Sequence, residues 1–175
     1  YNTYLFRVVS LGNEKVYVLT GKLPTTPRTR NGEPTATTAQ ARYWSLCHTG
    51  NGEDGKYPSL LYGCLMDDEI VTDATNSFTI VYSRGDERPS NARKECGVTW
   101  QNYGPESLQV LNVRWTSVIP DDYLPRYAPH QNNISWEAGE WSQSGWDRRI
   151  MGYNNQDGFM KEYQPLIHYL TKDEF

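Results

Sequence analysis

Two arginines that follow a predicted strand are the first candidates for chemistry. Arg84 and Arg88 lie with Pro89 and Asn91 in a basic loop directly after the predicted strand Ser77–Ser83. A guanidinium group presents a planar fork that binds carboxylates and other oxyanions in a bidentate manner. The loop is therefore a candidate anion-binding site. The alternative is that both arginines bind the loop's own carbonyl groups and neighbouring acids.

Three consecutive acids could supply carboxylates for general acid and base catalysis. Glycosidases place two carboxylates about 5–10 Å apart. Neighbouring residues of an extended chain point to opposite faces, so Asp67 and Glu69 could converge while Asp68 could not. A solvated turn or a calcium-prone strand edge explains the same residues. Catalysis at this position is a hypothesis only.

A third arginine lies on a strand with large residues on both faces, Arg42-Tyr43-Trp44-Ser45-Leu46-Cys47. Arg42, Trp44 and Leu46 share one face of such a strand. If that face is the core, Arg42 is buried and needs a carboxylate from the cluster at 67–69, because an unpaired buried charge is costly. The alternative is an arginine that clamps a ligand.

The segment after Pro120 carries three tryptophans, Trp136, Trp141 and Trp146, among Gly, Asn, Ser and Gln. Exposed indole rings stack on sugars or anchor protein interfaces at a small cost in conformational entropy. We predict that these three residues form a binding surface. The alternative is that they cover an open face of the domain.

No catalytic constellation is evident elsewhere in the sequence. The histidines, His48, His130 and His168, lie in or beside predicted irregular segments without metal-ligand spacing, so we predict surface residues. No G-x-S-x-G motif is present. We therefore predict no catalytic residue, no metal site and no cofactor.

The cysteines leave two interpretations open. Cys47, Cys64 and Cys96 allow three single disulfides, each of which leaves one thiol. No C-x-x-C pair indicates zinc. Either one disulfide in an oxidising compartment or three buried thiols fits the pattern.

Short strands separated by turns position these residues. Thr3–Val9 and Lys15–Thr20 flank a turn and predict a hairpin. Further strands are predicted at Gln40–Cys47, Ser59–Met66, Ser77–Ser83, Val98–Trp100 and Ser107–Thr116. No helical period is sustained before Pro120, which favours an antiparallel β-sandwich or jelly roll. We predict one all-β domain over residues 1–175, with core strands at 3–116 and an irregular, Trp-rich extension at 120–175.

Charge and hydropathy exclude two classes of partner. The 175 residues carry a net charge of -4, and residues 1–30 hold five basic residues against one acid. No basic run with interleaved aromatics predicts nucleic-acid binding. No apolar run approaches the ~20 residues of a membrane span. Because the chain opens at Tyr1, we expect a processed protein or a fragment.

Three motifs resemble a family of uncharacterised, exported bacterial-type proteins that is similar to jelly-roll domains of unknown function. They are the segment from Val16 to Pro27, the strand from Arg42 to Cys47, and the stretch from Tyr82 to Ala92. The resemblance covers roughly residues 2–120 and implies fold and export, without an activity. It also implies a disulfide between Cys47 and Cys64.

The sequence thus predicts a non-catalytic binding or assembly module, secreted, at the cell surface or in the periplasm. Its binding residues would be the three tryptophans together with Arg42, Arg84 and Arg88. The partner would be a glycan or another protein subunit, including a second copy in a homo-oligomer or extracellular assembly. The alternative is a small-molecule or glycan-processing enzyme with a polar pocket at one end of the sandwich.

Overall fold

The structure is a computed structural model that describes residues 2–13, 15–34, 39–50, 60–116, 141–145, 163 and 165–175, with the backbone alone for 2, 3 and 141–145. These residues form nine strands: β1 (Asn2–Ser10), β2 (Lys15–Lys22), β3 (Tyr43–Gly50), β4 (Leu60–Met66), β5 (Ser77–Ser83), β6 (Val98–Asn102), β7 (Leu108–Thr116), β8 (Trp141–Gly145) and β9 (Leu166–Thr171). Short 3-10 turns lie at Thr29–Asn31, Gly85–Glu87 and Lys94–Cys96.

The strands form two sheets that pack as a sandwich. One sheet has the order β4-β3-β7-β1-β8, and the other has the order β6-β5-β2-β9. All pairs are antiparallel except β5 and β6, which run parallel. The predicted β-sandwich is confirmed, with one mixed sheet. Strands β4 and β6 lie at the edges of their sheets, and a groove runs between them.

The core is rich in aromatic residues, as the composition predicts. Trp44 and Trp115 are opposite each other on β3 and β7, and their rings meet edge to face at 6.4 Å. Tyr17 on β2 stacks on Tyr82 of β5 at 4.5 Å. The other face of β2 is also covered, because Val16 and Val18 pack in a second cluster with Val81, Ala92 and Val98. Strand β2 is therefore buried on both faces.

The predicted hairpin of the first two strands is wrong. Strand β1 pairs with β7 and β8, whereas β2 pairs with β5 and β9 in the other sheet. Leu11, between them, is completely buried and its amide donates to the Ser107 carbonyl. The chain passes from one sheet to the other at Leu11, which packs in the core. The turn residues there therefore form a connection between the two sheets instead of a hairpin.

The expected burial of Arg42 is also wrong. Strand β3 begins at Tyr43 and ends at Gly50, three residues beyond the predicted end at Cys47. Trp44, Leu46 and His48 face the core, while Arg42 precedes the strand and is exposed. Its side chain reaches solvent at the end of the sandwich and needs no buried carboxylate.

The segment after Pro120 contributes two strands that the irregular sequence pattern did not predict. Strand β8 extends the first sheet beside β1, and β9 extends the second beside β2. Both pairs join residues more than 100 positions apart in the sequence. A local pattern carries little information about such distant pairing.

A disulfide joins the two strands at one edge of the first sheet. Cys47 on β3 and Cys64 on β4 are directly opposite and bonded, as the resemblance implied. Cys96 is exposed and is a free thiol. The bond therefore anchors edge strand β4 to the interior of its sheet.

We predict that loss of this disulfide destabilises the fold. The cysteines are 17 positions apart, and closing a loop of that size stabilises a protein by about 3 kcal/mol. Urea unfolding of the Cys47→Ser, Cys64→Ser double variant should show this loss, whereas Cys96→Ser should unfold like the parent. A double variant with the parent's unfolding midpoint would contradict the prediction.

Candidate functional site

A groove of about 410 Å³ lies where β3 begins and β4 ends, and we call it the arginine groove. Its walls are residues 27–31, Arg42 and Tyr43, and residues 66–68. Three of these side chains are guanidinium groups, from Arg28, Arg30 and Arg42. The groove is thus the place where the structure gathers positive charge from separate parts of the chain.

Local hydrogen bonds explain why the long Pro-rich connection is held against β3. The Thr25 amide donates to Gln40 Oε1 at 3.0 Å, and the Gln40 amide donates back to Thr25 Oγ1 at 2.9 Å. The Arg28 amide donates to Glu33 Oε2 at 2.7 Å, across a turn that ends on Gly32 with a positive φ of 86°. These contacts hold the connection that carries Arg28, which lines the groove together with Arg42.

Two acids offset part of the positive charge. Arg30 forms an ion pair with Asp68, with 3.0 Å between Nη1 and Oδ2. Asp67 accepts a hydrogen bond from the Thr26 hydroxyl. Within the described part of the chain, neither the Arg28 nor the Arg42 guanidinium has an ion-pair partner. Two guanidinium forks are therefore left to bind an oxyanion.

A second groove, which we call the edge groove, runs between edge strands β4 and β6. It has a volume of about 490 Å³ and is lined by residues 64, 65, 68 and 69 on one side and by Arg88, Lys94 and residues 98–101 on the other. Asp68 lines both grooves, so the two adjoin at the turn after β4. The charged residues of the edge groove are two basic and two acidic, which leaves it neutral overall.

A buried histidine lies beside the edge groove. His48 is only 1% exposed, and neither ring nitrogen has a hydrogen-bond partner among the described residues. Its ring centroid is 5.1 Å from that of Tyr82 and 6.2 Å from that of Tyr62. Burial lowers the pKa of His48 to about 4, so the imidazole is neutral near pH 7.

Gly63, opposite His48 on β4, lets two side chains approach the strand closely. A Cβ atom at Gly63 would lie 3.0 Å from Gln101 Oε1 and 3.1 Å from His48 Nε2. The absence of a side chain at Gly63 therefore allows His48 and Gln101 to pack against β4. Because Gln101 also lines the edge groove, this close packing lies beside that groove.

A β-bulge at the same place redirects Tyr62. The register of β3 and β4 shifts after the His48–Gly63 pair, and Thr49 then pairs with Leu61. The extra residue, Tyr62, donates a hydrogen bond to Glu106 at 2.8 Å. This bond raises the pKa of Tyr62. Bulges of this kind aim side chains at sheet edges and near binding sites.

The predicted loop arginines bind the protein itself. Arg84 Nη1 donates to the carbonyl oxygens of Gly104 at 3.0 Å and Pro105 at 2.8 Å. Arg88 donates twice to the Ala92 carbonyl and lies over the Trp100 ring, 4.5 Å from its centroid. Arg42 lines the arginine groove and Arg88 the edge groove, so the structure does not bring these residues to one site.

The predicted tryptophan surface falls largely outside the described residues. Trp136 and Trp146 are not among them, and for Trp141, the first residue of β8, only the backbone is described. Among the described side chains, the indole of Trp100, on β6, lines a groove.

The predicted enzyme pocket is divided between the two grooves. Arg42 and Asp67 line the arginine groove, whereas Glu69 and Arg88 line the edge groove. Glu69 accepts a hydrogen bond from the Met66 amide at 2.9 Å. Among the described residues no cluster of three or more His, Cys, Asp or Glu side chains could hold a metal ion. None of the helices in this part of the chain has the length and apolar character to cross a membrane.

Comparison with known proteins gives similarity of fold alone. No known family and no curated protein matches the sequence. A crystal structure of an uncharacterised protein from Burkholderia cenocepacia is similar, with a TM-score of 0.52 and 9% sequence identity over 98% of this chain. The chain spans 30% of the length of that protein. At this identity the likeness supports the architecture and carries no information on function.

Sequence reasoning missed the positions of Arg28, in the arginine groove, and of His48 and Gly63, beside the edge groove. Arg28 lies in a Pro-rich connection that had no recognisable motif. The prediction that His48 is a surface residue is wrong, because β3 continues to Gly50. The alternation through Trp44 and Leu46 could have indicated that His48 faces the core. Gly63 had no local signal, since its effect depends on the residues it faces.

We predict that His48 makes the fold acid-sensitive. Its pKa is about 4 in the folded protein and about 6.5 in an unfolded chain. Between these values the unfolded state binds the extra proton, so the free energy of unfolding falls as the pH falls, by about 2 kcal/mol between pH 7 and pH 5. Urea unfolding at each pH should show that the free energy of unfolding falls less between pH 7 and pH 5 in His48→Leu than in the parent.

The control for this prediction is His168→Gln, because His168 is exposed on β9. This variant should keep the parent's pH profile. Equal acid sensitivity in the parent and in His48→Leu would show that His48 is not the group that titrates.

Proposed function

We propose that this chain is an exported, non-catalytic binding module that recognises an oxyanion, a carboxylate or sulfate, in the arginine groove. The observation that carries the proposal is the pair of guanidinium groups, from Arg28 and Arg42, that line one groove without ion-pair partners among the described residues. Arginine is suited to this role because its fork binds oxyanions in a bidentate manner.

Electrostatics supports an anionic ligand. The groove carries three arginines against two aspartates, in a chain whose net charge is -4. The local excess of positive charge attracts an anion that the rest of the surface repels. The Arg30–Asp68 ion pair joins two walls of the groove and leaves Arg28 and Arg42 for the ligand.

Export is supported by the disulfide. Disulfides persist in oxidising compartments, and Cys47 and Cys64 are bonded here. A surface or periplasmic location would expose the module to acidic glycans. The tryptophans at 136, 141 and 146 would then add stacking contacts to sugar rings.

We predict that Arg28→Gln and Arg42→Gln each weaken anion binding about tenfold or more, since a charged hydrogen bond contributes about 1.5–3 kcal/mol. Isothermal titration calorimetry with inorganic sulfate and with hexagalacturonate provides the measurement. Binding should weaken as salt increases. The fully methyl-esterified hexagalacturonate, which has lost its carboxylates, should not bind.

Arg93→Gln is the matched control. Arg93 is exposed, lines neither groove, and its loss changes the net charge equally. It should leave both affinities unchanged. A parent protein that binds neither probe, or an Arg93 variant as weak as the groove variants, would contradict the proposal.

A further inference from the structure

A small cavity of about 140 Å³ adjoins the arginine groove, and we call it the threonine pocket. It is lined by residues 23–26, Arg28, Asp67, Thr72 and Asn76. Arg28 and Asp67 also line the arginine groove, so the two cavities share a border. A ligand that is held by its oxyanion in the arginine groove is therefore placed to extend into the threonine pocket.

The threonine pocket presents polar groups that the described residues leave unused. The Thr72 hydroxyl and the Asn76 side-chain amide are half-buried and form no hydrogen bond within the described part of the chain. Asp67 accepts the Thr26 hydroxyl through Oδ2, which leaves Oδ1 facing a ligand. A hydroxyl and an amide both donate and accept, whereas a carboxylate only accepts. The pocket thus offers partners for groups of either kind.

Hydrogen bonds within the wall hold these groups in position before a ligand arrives. The Leu23 amide donates to the Asn76 carbonyl at 2.9 Å, which ties the connection after β2 to the turn before β5. In that turn, Asp73 Oδ1 accepts from the amides of Thr75 at 2.8 Å and Ser77 at 2.9 Å. Groups that are already fixed lose less entropy when they bind a ligand.

Charge assigns different parts of a ligand to the two cavities. Arg42 lines the arginine groove but not the threonine pocket, where Asp67 offsets the charge of Arg28. A second anionic group in the pocket would be repelled by Asp67, whereas a neutral hydroxyl donates to it. Leu23 and Pro24 supply buried apolar surface for carbon-bound hydrogens. The pocket therefore suits a neutral, hydroxylated group.

We propose that the ligand is a sugar acid, whose carboxylate binds Arg28 and Arg42 and whose ring hydroxyls bind Asp67, Thr72 and Asn76 in the threonine pocket. The inference rests on the proposed function, since it names the neutral part of the same ligand. At about 140 Å³ the pocket is smaller than the ~300–1,000 Å³ of a site for a whole drug-sized ligand, so it receives one edge of a sugar ring.

Two acids that differ in their hydroxyl groups test this inference. D-Galacturonate and cyclohexanecarboxylate both join a carboxylate to a six-membered ring, but only the former has hydroxyls. Isothermal titration calorimetry should show that the parent binds D-galacturonate about tenfold more tightly, because its hydroxyls form hydrogen bonds in the pocket. Equal affinities of the parent for the two acids would contradict the inference.

Two variants remove the polar groups of the pocket without changing any charge. Thr72→Val replaces the hydroxyl by a methyl group, and Asn76→Gly removes the amide while tolerating the positive φ of 62° at this position. Each should weaken D-galacturonate binding about fivefold, the equivalent of one neutral hydrogen bond. Neither should change the affinity for cyclohexanecarboxylate or inorganic sulfate, which bind in the arginine groove alone.

Thr79→Val is the control, because Thr79 is half-buried on β5 and lines neither cavity. It should bind all three probes like the parent. Urea unfolding confirms that each variant is folded, and the folded pocket variant decides the matter if the other is not. If both pocket variants bind D-galacturonate like the parent while Arg42→Gln does not, this inference is wrong and the proposed function stands. If the parent binds none of the three probes, both are wrong.

Discussion

The period-two alternation of β3 is the constraint on which the rest of the structure depends. Trp44, Leu46 and His48 face the core from this strand, and β3 pairs with β7 on one side and β4 on the other. A shift of one residue would turn all three outward. Burial of the two large apolar residues therefore forces the imidazole of His48 into the interior, whatever its own preference for water.

The same register determines the structure of the sheet edge. It places Cys47 opposite Cys64, so the disulfide holds β4 at the sheet edge, and it places His48 opposite Gly63. Beyond that pair, the bulge at Tyr62 shifts the register between β3 and β4. On the other sheet, β6 joins β5 in parallel and becomes the facing edge. The edge groove exists because neither edge strand has a further strand beside it among the described residues.

Prediction from sequence succeeded where signals are local and failed where they are not. Strand β5 lies at the predicted Ser77–Ser83, because a turn at 73–76 precedes it and Asn76 adopts a positive φ of 62°. The prediction that β1 and β2 form a hairpin was wrong, because turn residues between two strands do not determine which sheet the second strand joins. Strand β9 was missed because its partner, β2, is distant in sequence. Arg42 was predicted as a binding residue and lines the arginine groove, but its predicted burial in the core is wrong. The close packing of His48 and Gln101 against Gly63 could not be predicted, since it forms only when β3, β4 and β6 meet.

Stability and binding are linked through the interior of this sandwich. The core contains several buried polar atoms without partners among the described residues, including both His48 nitrogens and the Tyr17 hydroxyl. Each such group costs about 1–3 kcal/mol, against a total stability of about 5–15 kcal/mol for a domain. A ligand that supplies partners to the native state alone shifts the folding equilibrium by mass action. Because the disulfide bonds β4 covalently to β3, the edge strand stays in place despite the cost of these buried groups.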